Sequence, residues 1–295
     1  MSVDVVEVAA DRSEPAAHRE GRRRRRWRLV LRYTLLTLGA LVVLAPLYFT
    51  IVNSLLAPSQ LAQQPPPFFP VHPQWHNYSA AWNEGHLSSY LATSAIVTAI
   101  IVVCEIATSI LAAYAFAFLE FPLKRTLFVV VLATLMIPFE VTFITNLATV
   151  TWLGWFNTYQ GLAVPFLATG FGIFLLRQAF LQIPRDLQEA AILDGYGHWR
   201  FMARVAVPLA RPSVAALGVF AFLSAWNQYL WPLVASGGST PLDTVQIGLK
   251  QLFGTSANQL SIALAGAVIA FLPLVVLLIV FQKQLVRSLT AGAVK

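Results

Sequence analysis

The chain has 295 residues, of which 57% are hydrophobic and 11% are charged, against about 25% charged residues in an ordinary soluble domain. This composition argues against a soluble globular domain and favours a protein that spans the membrane several times. The net charge of +7 does not indicate nucleic-acid binding, because the arginines at 22–26, 28 and 32 stand directly before the first apolar run, where a juxtamembrane anchor would stand. The single cysteine, Cys104, lies within an apolar run and is expected to be a small packing residue.

Apolar runs follow a polar N-terminal stretch. Residues 1–28 are predicted to form a disordered, basic cytoplasmic tail. Crossing a bilayer takes roughly 20 helical residues, and a backbone in lipid must satisfy its hydrogen bonds internally. We therefore predict an all-α membrane domain over residues 29–295 with six transmembrane helices, at about 29–51, 90–118, 127–150 with an interruption near Pro138, 158–176, 212–234 and 262–285.

The distribution of lysine and arginine predicts the orientation of these six segments. If both termini are cytoplasmic, the inner regions hold 19 of the 20 Lys and Arg residues, and the outer loops hold only Lys250. Positive charge is retained on the cytoplasmic side of membrane proteins. The prediction is therefore an N-in, C-in protein.

The polar interval between the fourth and fifth segments, about residues 181–211, is the most informative part of the chain. Pro184 suits the first turn of a helix, residues 187–193 favour a helix, and Gly195 can end it in the left-handed conformation. A second helix is predicted from about His198 to a stop near Pro208, with apolar contacts from Trp199, Phe201 and Met202. Most connections are about 4–6 residues long, so the whole polar interval of about 35 residues, Arg177 to Arg211, favours docking of a partner over a plain connection.

Within this loop, residues 189–191, 195, 205 and 207–208 read Glu-Ala-Ala, Gly, Val and Val-Pro at fixed spacing. The pattern resembles the signature of ABC importer permeases, with valine in place of isoleucine at 205 and of leucine at 207. The resemblance implies that this segment is a coupling-helix loop between helices 4 and 5 that seats in a nucleotide-binding subunit. The implied docking residues are Glu189, Ala190, Ala191, Asp194, Gly195, Phe201 and Pro208.

Other stretches narrow the resemblance to permeases of the maltose type, and the likeness runs from about residue 30 to the end of the chain. They lie at residues 113–117, 136–141, 174–178 and 289–295. The segment 226–233, Trp-Asn-Gln-Tyr-Leu-Trp-Pro-Leu, is most similar to the subgroup that imports sn-glycerol-3-phosphate and glycerophosphodiesters. The implied substrate is one of these compounds, and the alternative is a di- or oligosaccharide.

The resemblance also implies an assembly in the bacterial plasma membrane. Its members would be a second homologous permease, two ATPase subunits that hold ATP and magnesium, and an extracytoplasmic substrate-binding lipoprotein. The chain has no Gly-x-x-x-x-Gly-Lys-Ser/Thr motif, so we expect a transport subunit that is not an enzyme and binds no cofactor. Dispersed loop histidines at 72, 76 and 86 predict no metal site. An ATP-independent carrier or a membrane scaffold is the alternative of another class, and the coupling loop argues against it.

Polar residues in or beside the apolar segments are candidates for the transport pathway. Each also has a structural interpretation. Glu105 could line or brace the pathway, or be a paired or protonated group at a subunit interface. Glu140 could be a gate element or a helix-end carboxylate, and Asn227 could contact substrate or bridge helices. The full set of candidates is Asn227, Gln228, Trp226, Tyr229, Glu140 and Glu105.

Overall fold

The computed structural model of the protein describes residues 16–238, 240–254 and 259–291, with side chains at 27–238, 240–253 and 259–284. Every regular element in these ranges is a helix. Residues 1–52 and 53–295 form two separate units. The fold is therefore all-α, as predicted.

The first unit contains nearly all of helix α1, Ala16–Ser54. The helix begins inside the segment 1–28 that composition predicts to be disordered, because arginine has a high helix propensity and extends the apolar helix towards the N-terminus. Residues 1–15 lie outside the described residues. Pro46 interrupts the backbone ladder, and the hydroxyl of Thr50 donates to the Pro46 carbonyl over 2.8 Å.

The second unit contains fourteen further helices within the described residues. They are α2 (Pro58–Leu61), α3 (His76–Asn83), α4 (Leu87–Phe118), α5 (Lys124–Thr134), α6 (Phe139–Trp152), α7 (Tyr159–Ala163), α8 (Gly170–Leu181), α9 (Arg185–Leu193), α10 (His198–Phe201), α11 (Val207–Leu209), α12 (Arg211–Trp226), α13 (Leu230–Ser236), α14 (Val245–Gly254) and α15 (Leu260–Ala291). A 3₁₀ turn, Val164–Phe166, follows α7, and a π-helical turn, Met202–Ala206, follows α10.

Among the described helices, three are long and apolar enough to cross a bilayer by themselves. They are Trp27–Ser54 of α1, the whole of α4, and Leu260–Gln284 of α15. Three bent pairs raise the number to six if each pair is one crossing: α5 with α6 at 96°, α7 and its 3₁₀ turn with α8 at 47°, and His198–Leu209 with α12 at 79°. The chain is thus an all-helical membrane protein with three to six crossings.

The predicted interruption near Pro138 is confirmed. Helix α5 ends at Thr134, and α6 begins at Phe139, directly after the proline. Proline has no N–H to donate to a preceding turn and disfavours a helical conformation in the residue before it, so the helix is readily broken at Pro138. The result is a near right-angle turn that places the N-terminus of α6 among other helix ends.

The fifth predicted segment, 212–234, is divided. Helix α12 ends at Trp226, and α13 starts at Leu230, leaving residues 227–229 between them. Pro232, in the first turn of α13, has no N–H and cannot bond the carbonyl of Gln228, so a continuous helix would lack a hydrogen bond there. The break brings polar backbone and two amide side chains, those of Asn227 and Gln228, to one place.

Helix α4 is the central element and packs closely against α8 and α12. Near its C-terminus, Tyr114 is buried with Phe180 of α8 and Phe201 of α10. Nearer its N-terminus, Val97 is buried with Trp231 of α13. One long helix therefore supports both the coupling loop and the broken fifth segment.

Besides the short α2, two helices, α3 and α14, lie in stretches predicted as loops. Helix α3 packs on α15, and the amide of Asn77 donates to the Ser54 carbonyl over 2.8 Å. Helix α14 starts where the backbone N–H of Val245 donates to the hydroxyl of Ser94 over 2.8 Å. Both are too short and too polar to stand out as membrane segments, and tertiary contacts stabilise them.

Candidate functional site

The coupling loop, residues 181–211, is a helical hairpin with a glycine corner. Helix α9 ends at Leu193, and Gly195 has φ +75°, the left-handed conformation predicted for it. The N–H of Tyr196 then donates to the Ala191 carbonyl over 2.8 Å, which closes the last turn of α9. The second arm is helical from His198 to Leu209, so it passes through Pro208 and stops one residue later.

A π turn accommodates Pro208 in this arm. The N–H of Val207 donates to the Met202 carbonyl, five residues back, because Met202–Ala206 is wound more widely than an α-helix. The widened turn adjoins the proline, which has no N–H to donate to the carbonyl of Arg204. The arm keeps its direction in spite of the proline.

Aromatic contacts hold the coupling loop against α4. The ring of Phe201 lies 5.3 Å from that of Phe118 and 6.4 Å from that of Tyr114. The hydroxyl of Tyr114 is 3.2 Å from Nδ1 of His198, at the start of α10. A movement of the loop would therefore act directly on the C-terminal end of α4.

The predicted docking residues divide into two groups. Glu189, Ala190, Asp194 and Gly195 are exposed, whereas Ala191 and Phe201 are buried against α4 and α8, and Pro208 is half-buried. Ala191 and Phe201 thus seat the loop in its own chain, and the exposed group forms the free surface.

Three apolar residues on this free surface were not among the predicted docking residues. Leu193 is 89% exposed, Trp199 72% and Ile192 61%. The packing role expected for Trp199 is therefore wrong, while Phe201 and Met202 are buried as expected. A helical wheel centred on Ala191 could have found Leu193, which falls on the opposite face together with Glu189.

The broken helices enclose a second feature, a cleft of about 330 Å³. We call it the amide cleft, and its lining residues are Phe139, Glu140, Phe143, Phe166, Asn227, Gln228, Tyr229, Leu230 and Trp231. Four of the six predicted pathway residues lie here. The lining residues as a whole come from the N-terminal part of α6, the 3₁₀ turn, the break between α12 and α13 and the start of α13. The cleft is therefore formed where helices end or begin.

Aromatic rings form the walls of the amide cleft. The ring of Trp231 is edge-on to those of Phe139, Phe143 and Phe166, at 5.7, 5.6 and 6.2 Å. The indole N–H of Trp231 donates to the Gly161 carbonyl over 3.2 Å. The walls are therefore fixed by mutual edge-to-face packing and by one buried hydrogen bond.

The polar groups of the amide cleft differ in their partners. The Asn227 amide donates to the Leu223 carbonyl over 2.8 Å, one turn back on α12. Oε1 of Gln228 is buried and has no hydrogen-bond partner among the described residues. Glu140 is exposed in the first turn of α6, where the helix dipole favours a negative charge. A buried amide without a partner can serve a hydroxyl-bearing solute.

The other two predicted pathway residues do not line the amide cleft. Trp226 is 3% exposed, stacks on Phe222 at 5.4 Å, and donates its indole N–H to the Ala270 carbonyl of α15 over 3.2 Å. Glu105 is 6% exposed on α4 and accepts a hydrogen bond of 2.6 Å from the hydroxyl of Thr169. Both residues connect helices inside the chain.

Sequence comparison identifies the family. A model of the inner membrane component of binding-protein-dependent transport systems matches residues 105–291. This chain belongs to that family. The permease is 34% identical over 266 residues to the sn-glycerol-3-phosphate transport system permease protein UgpE of Rhizobium meliloti (strain 1021), covering 87% of this chain and 94% of the relative. The protein of the same name from Yersinia pestis bv. Antiqua (strain Antiqua) is 33% identical over 265 residues, with the same coverage of both chains.

The fold of the permease is also that of a solved transporter. A bacterial ABC transporter involved in the import of the acidic polysaccharide alginate superimposes with a TM-score of 0.77 at 22% identity, over 88% of this chain and 96% of the other. The predicted ABC importer permease of the bacterial inner membrane is thus confirmed. Members of this family are membrane components of transport systems, which supports the prediction that this chain is a transport subunit.

One polar group of the permease escaped sequence reasoning altogether. Asp243 is 1% exposed in the segment between α13 and α14, and it accepts hydrogen bonds from Ser236 over 2.8 Å and from Gln251 over 3.3 Å. It ties the end of α13 to α14. A carboxylate in an apolar run attracts notice, but one in a polar loop gives no signal of burial in the sequence.

Proposed function

We propose that this permease imports sn-glycerol-3-phosphate or a glycerophosphodiester. The observation that carries this proposal is the identity of 33–34% to permeases named for sn-glycerol-3-phosphate transport, over 87% of the chain. The segment 226–233, on which the substrate prediction rested, contributes five of the lining residues of the amide cleft. Membership in a binding-protein-dependent family argues against an ATP-independent carrier or a scaffold.

The proposed architecture has six crossings with both termini in the cytoplasm. Three long helices and the bent pairs α5 with α6 and α7 with α8 supply five of the crossings. The remaining one, the fifth in chain order, is assigned to α12 together with α13, because the arm 198–209 belongs to the coupling loop. The bias of positive charge supports the orientation. A basic tail at 1–28, the transmembrane domain at 29–295 and the coupling loop at 181–211 are the proposed divisions.

The proposed assembly contains a second homologous permease, two ATPase subunits and a substrate-binding lipoprotein. An alginate transporter with this fold has been solved in complex with a pentasaccharide-bound periplasmic protein, at a TM-score of 0.55. ATP and magnesium would be held by the ATPase subunits. This chain would contribute half of the pathway and no catalytic residue.

In the proposed coupling step, an ATPase subunit binds the exposed surface of the coupling loop. Leu193 and Trp199 offer apolar contacts beside Glu189 and Asp194, a mixture typical of the centre and rim of a protein interface. Closure of the ATPase pair would push the loop, and the Tyr114–His198 contact would pass the motion to α4. The amide cleft would then open to the opposite side of the membrane.

The amide cleft is the proposed contact surface for the solute. Amides at 227 and 228 and the hydroxyl of Tyr229 can exchange hydrogen bonds with the hydroxyls of a glycerol moiety. A di- or oligosaccharide is the second candidate substrate. The four aromatic rings of the cleft walls suit the face of a sugar ring, and Glu140 can accept hydrogen bonds from sugar hydroxyls.

The sign of the effect of Glu140→Gln separates these substrates. For a phosphate-bearing solute, loss of a like charge should lower the KM for uptake by about fivefold, the effect of roughly 1 kcal/mol. For a sugar, loss of a hydrogen-bonding carboxylate should raise the KM. The measurement is uptake of labelled sn-glycerol-3-phosphate and of labelled maltose by cells that express the complete transporter.

Glu84→Gln is the matched control, because Glu84 is also exposed and lies outside the amide cleft. It should leave both KM values unchanged. Saturable uptake of maltose with no uptake of sn-glycerol-3-phosphate by the unaltered transporter would reject the first substrate.

A further inference from the structure

A large apolar groove lies between α4, α12 and α15. Its volume is about 590 Å³, and its walls include Ile106 of α4, Val214 and Phe222 of α12, and Leu277 of α15. Arg211 and Gln284 line the groove at one end. We call it the apolar groove.

The apolar groove is not part of the amide cleft. Successive residues of a helix are about 100° apart, so Val214, Gly218 and Phe222 share one face of α12. The same spacing puts Phe220, Ser224 and Asn227 on the opposite face, and Asn227 lines the amide cleft. The two cavities share no lining residue. A solute in the amide cleft would therefore not meet the apolar groove.

The polar end of the apolar groove carries unneutralised positive charge. Arg211 is exposed, and no carboxylate in the described part of the chain is within ion-pair distance of its guanidinium. It is the first residue of α12, so the positive end of that helix dipole lies beside it. The combination favours an anion at this end of the groove.

Gln284 adds a polar group with no partner to the same end. Its Oε1 is buried and lacks a hydrogen-bond donor among the described residues. Rotation of the amide by 180° exchanges its oxygen and nitrogen and would present two N–H groups instead. A phosphate oxygen or a glycerol hydroxyl beside Arg211 would give this amide a partner.

We propose that the apolar groove binds an anionic glycerophospholipid, with one acyl chain along the groove and the phosphate at Arg211. A lipid joins a long apolar chain to an anion, which is the arrangement of the apolar groove and its charged end. Arg211 ends the coupling loop, so under the proposed orientation it lies at the cytoplasmic surface, where anionic lipids bind basic pockets between helices.

Lipid retention tests the proposal independently of transport. The full-length permease, purified from bacterial membranes with its co-purifying subunits, is placed in nanodiscs of phosphatidylethanolamine with one fifth phosphatidylglycerol. Bound lipid is counted by native mass spectrometry. Arg211→Gln should bind phosphatidylglycerol about fivefold more weakly, and Arg211→Lys should bind nearly as the unaltered protein does.

Two further variants locate the site. Arg204→Gln removes another exposed arginine, which does not line the apolar groove, and it should leave retention unchanged. Ala215→Phe fills the groove without changing charge and should abolish retention. Soluble sn-glycerol-3-phosphate shares the phosphate but has no acyl chain, so excess of it should not displace the lipid.

Three results would overturn the proposal. Equal loss in Arg211→Gln and Arg204→Gln would mean general attraction to a charged surface. Displacement by sn-glycerol-3-phosphate would assign Arg211 to a soluble anion. Loss of the partner permease from Ala215→Phe, with lipid retention unchanged, would mean that the partner subunit fills the groove. Lipid retention, displacement by sn-glycerol-3-phosphate and retention of the partner permease can all be measured whether or not the transporter takes up sn-glycerol-3-phosphate, so failure of the proposed substrate would not affect this test.

Discussion

At the scale of single residues, the buried carboxylates stabilise helix junctions. Glu105 accepts from Thr169, and the same threonine hydroxyl accepts the N–H of Gly172, which begins the ladder of α8. One turn along α4, Thr108 donates to the Leu167 carbonyl over 2.6 Å. These bonds satisfy the polar backbone at the bend between α7 and α8, where the helical ladder is broken. We infer that Glu105 braces this bend.

The first prediction concerns the Glu105–Thr169 bond. Thr169→Val keeps the side-chain shape but removes both the donor to the buried Glu105 carboxylate and the acceptor for the Gly172 N–H, so we expect a loss of about 1–3 kcal/mol in stability. The measurement is the thermal unfolding midpoint of the purified permease. Thr149→Val is the matched control, since Thr149 is exposed and its hydroxyl bonds only within its own helix.

Glu105→Gln keeps an acceptor for Thr169 and should therefore retain uptake close to that of the unaltered transporter. If uptake were lost while the unfolding midpoint stayed the same, Glu105 would belong to the pathway and not to the brace.

At the scale of elements, function is concentrated where helices break. The N-terminus of α6, the 3₁₀ turn after α7 and the gap between α12 and α13 meet at the amide cleft. Unbonded backbone at membrane depth is tolerated only where it faces protein or a polar cavity. The cleft is thus formed by the helix breaks, and the breaks are tolerated because they face the cleft. The coupling loop has its own break, the corner at Gly195.

The second prediction concerns that corner. Gly195 has φ +75°, which a β-branched residue adopts only at a cost of about 1–2 kcal/mol or more. Gly195→Val should therefore distort the surface around Leu193 and lower transport more than ATP hydrolysis. The measurement is the number of ATP molecules hydrolysed per solute imported by the reconstituted transporter.

Gly197→Val provides the control. An added Cβ has no atom within 4 Å at either glycine, so the two substitutions differ only in backbone conformation, and Gly197 has φ −75°. Equal uncoupling by both variants would show that the bulk of the side chain, and not the left-handed corner, governs docking.

At the scale of the whole molecule, the proposed topology is the feature on which the mechanism depends. Coupling requires residues 181–211 on the ATPase side, and delivery of solute by a binding protein requires α14 on the other. Lys250, on α14, is the one basic residue assigned to an outer loop. One crossing fewer before residue 181 would place the coupling loop outside and α14 inside.

The third prediction tests this topology by labelling. Replacing Cys104 with alanine gives a chain without cysteine, to which Lys250→Cys or Asp194→Cys adds one exposed thiol. In spheroplasts, a membrane-impermeant maleimide should label the first at once and the second only after permeabilisation. The Cys104→Ala chain should remain unlabelled throughout, and the reverse pattern would refute the N-in, C-in orientation.

The sequence by itself determined the membrane class, the positions of the apolar segments, the break at Pro138, the corner at Gly195 and the permease family. These features depend on local composition, on proline and glycine backbone chemistry, and on residue spacing, all of which are linear properties of the chain. Only the tertiary structure decided that Glu140, Asn227, Gln228 and Tyr229 share a cleft while Trp226 and Glu105 do not. It alone buried Asp243 and exposed Trp199, because burial depends on which distant helix packs against a residue.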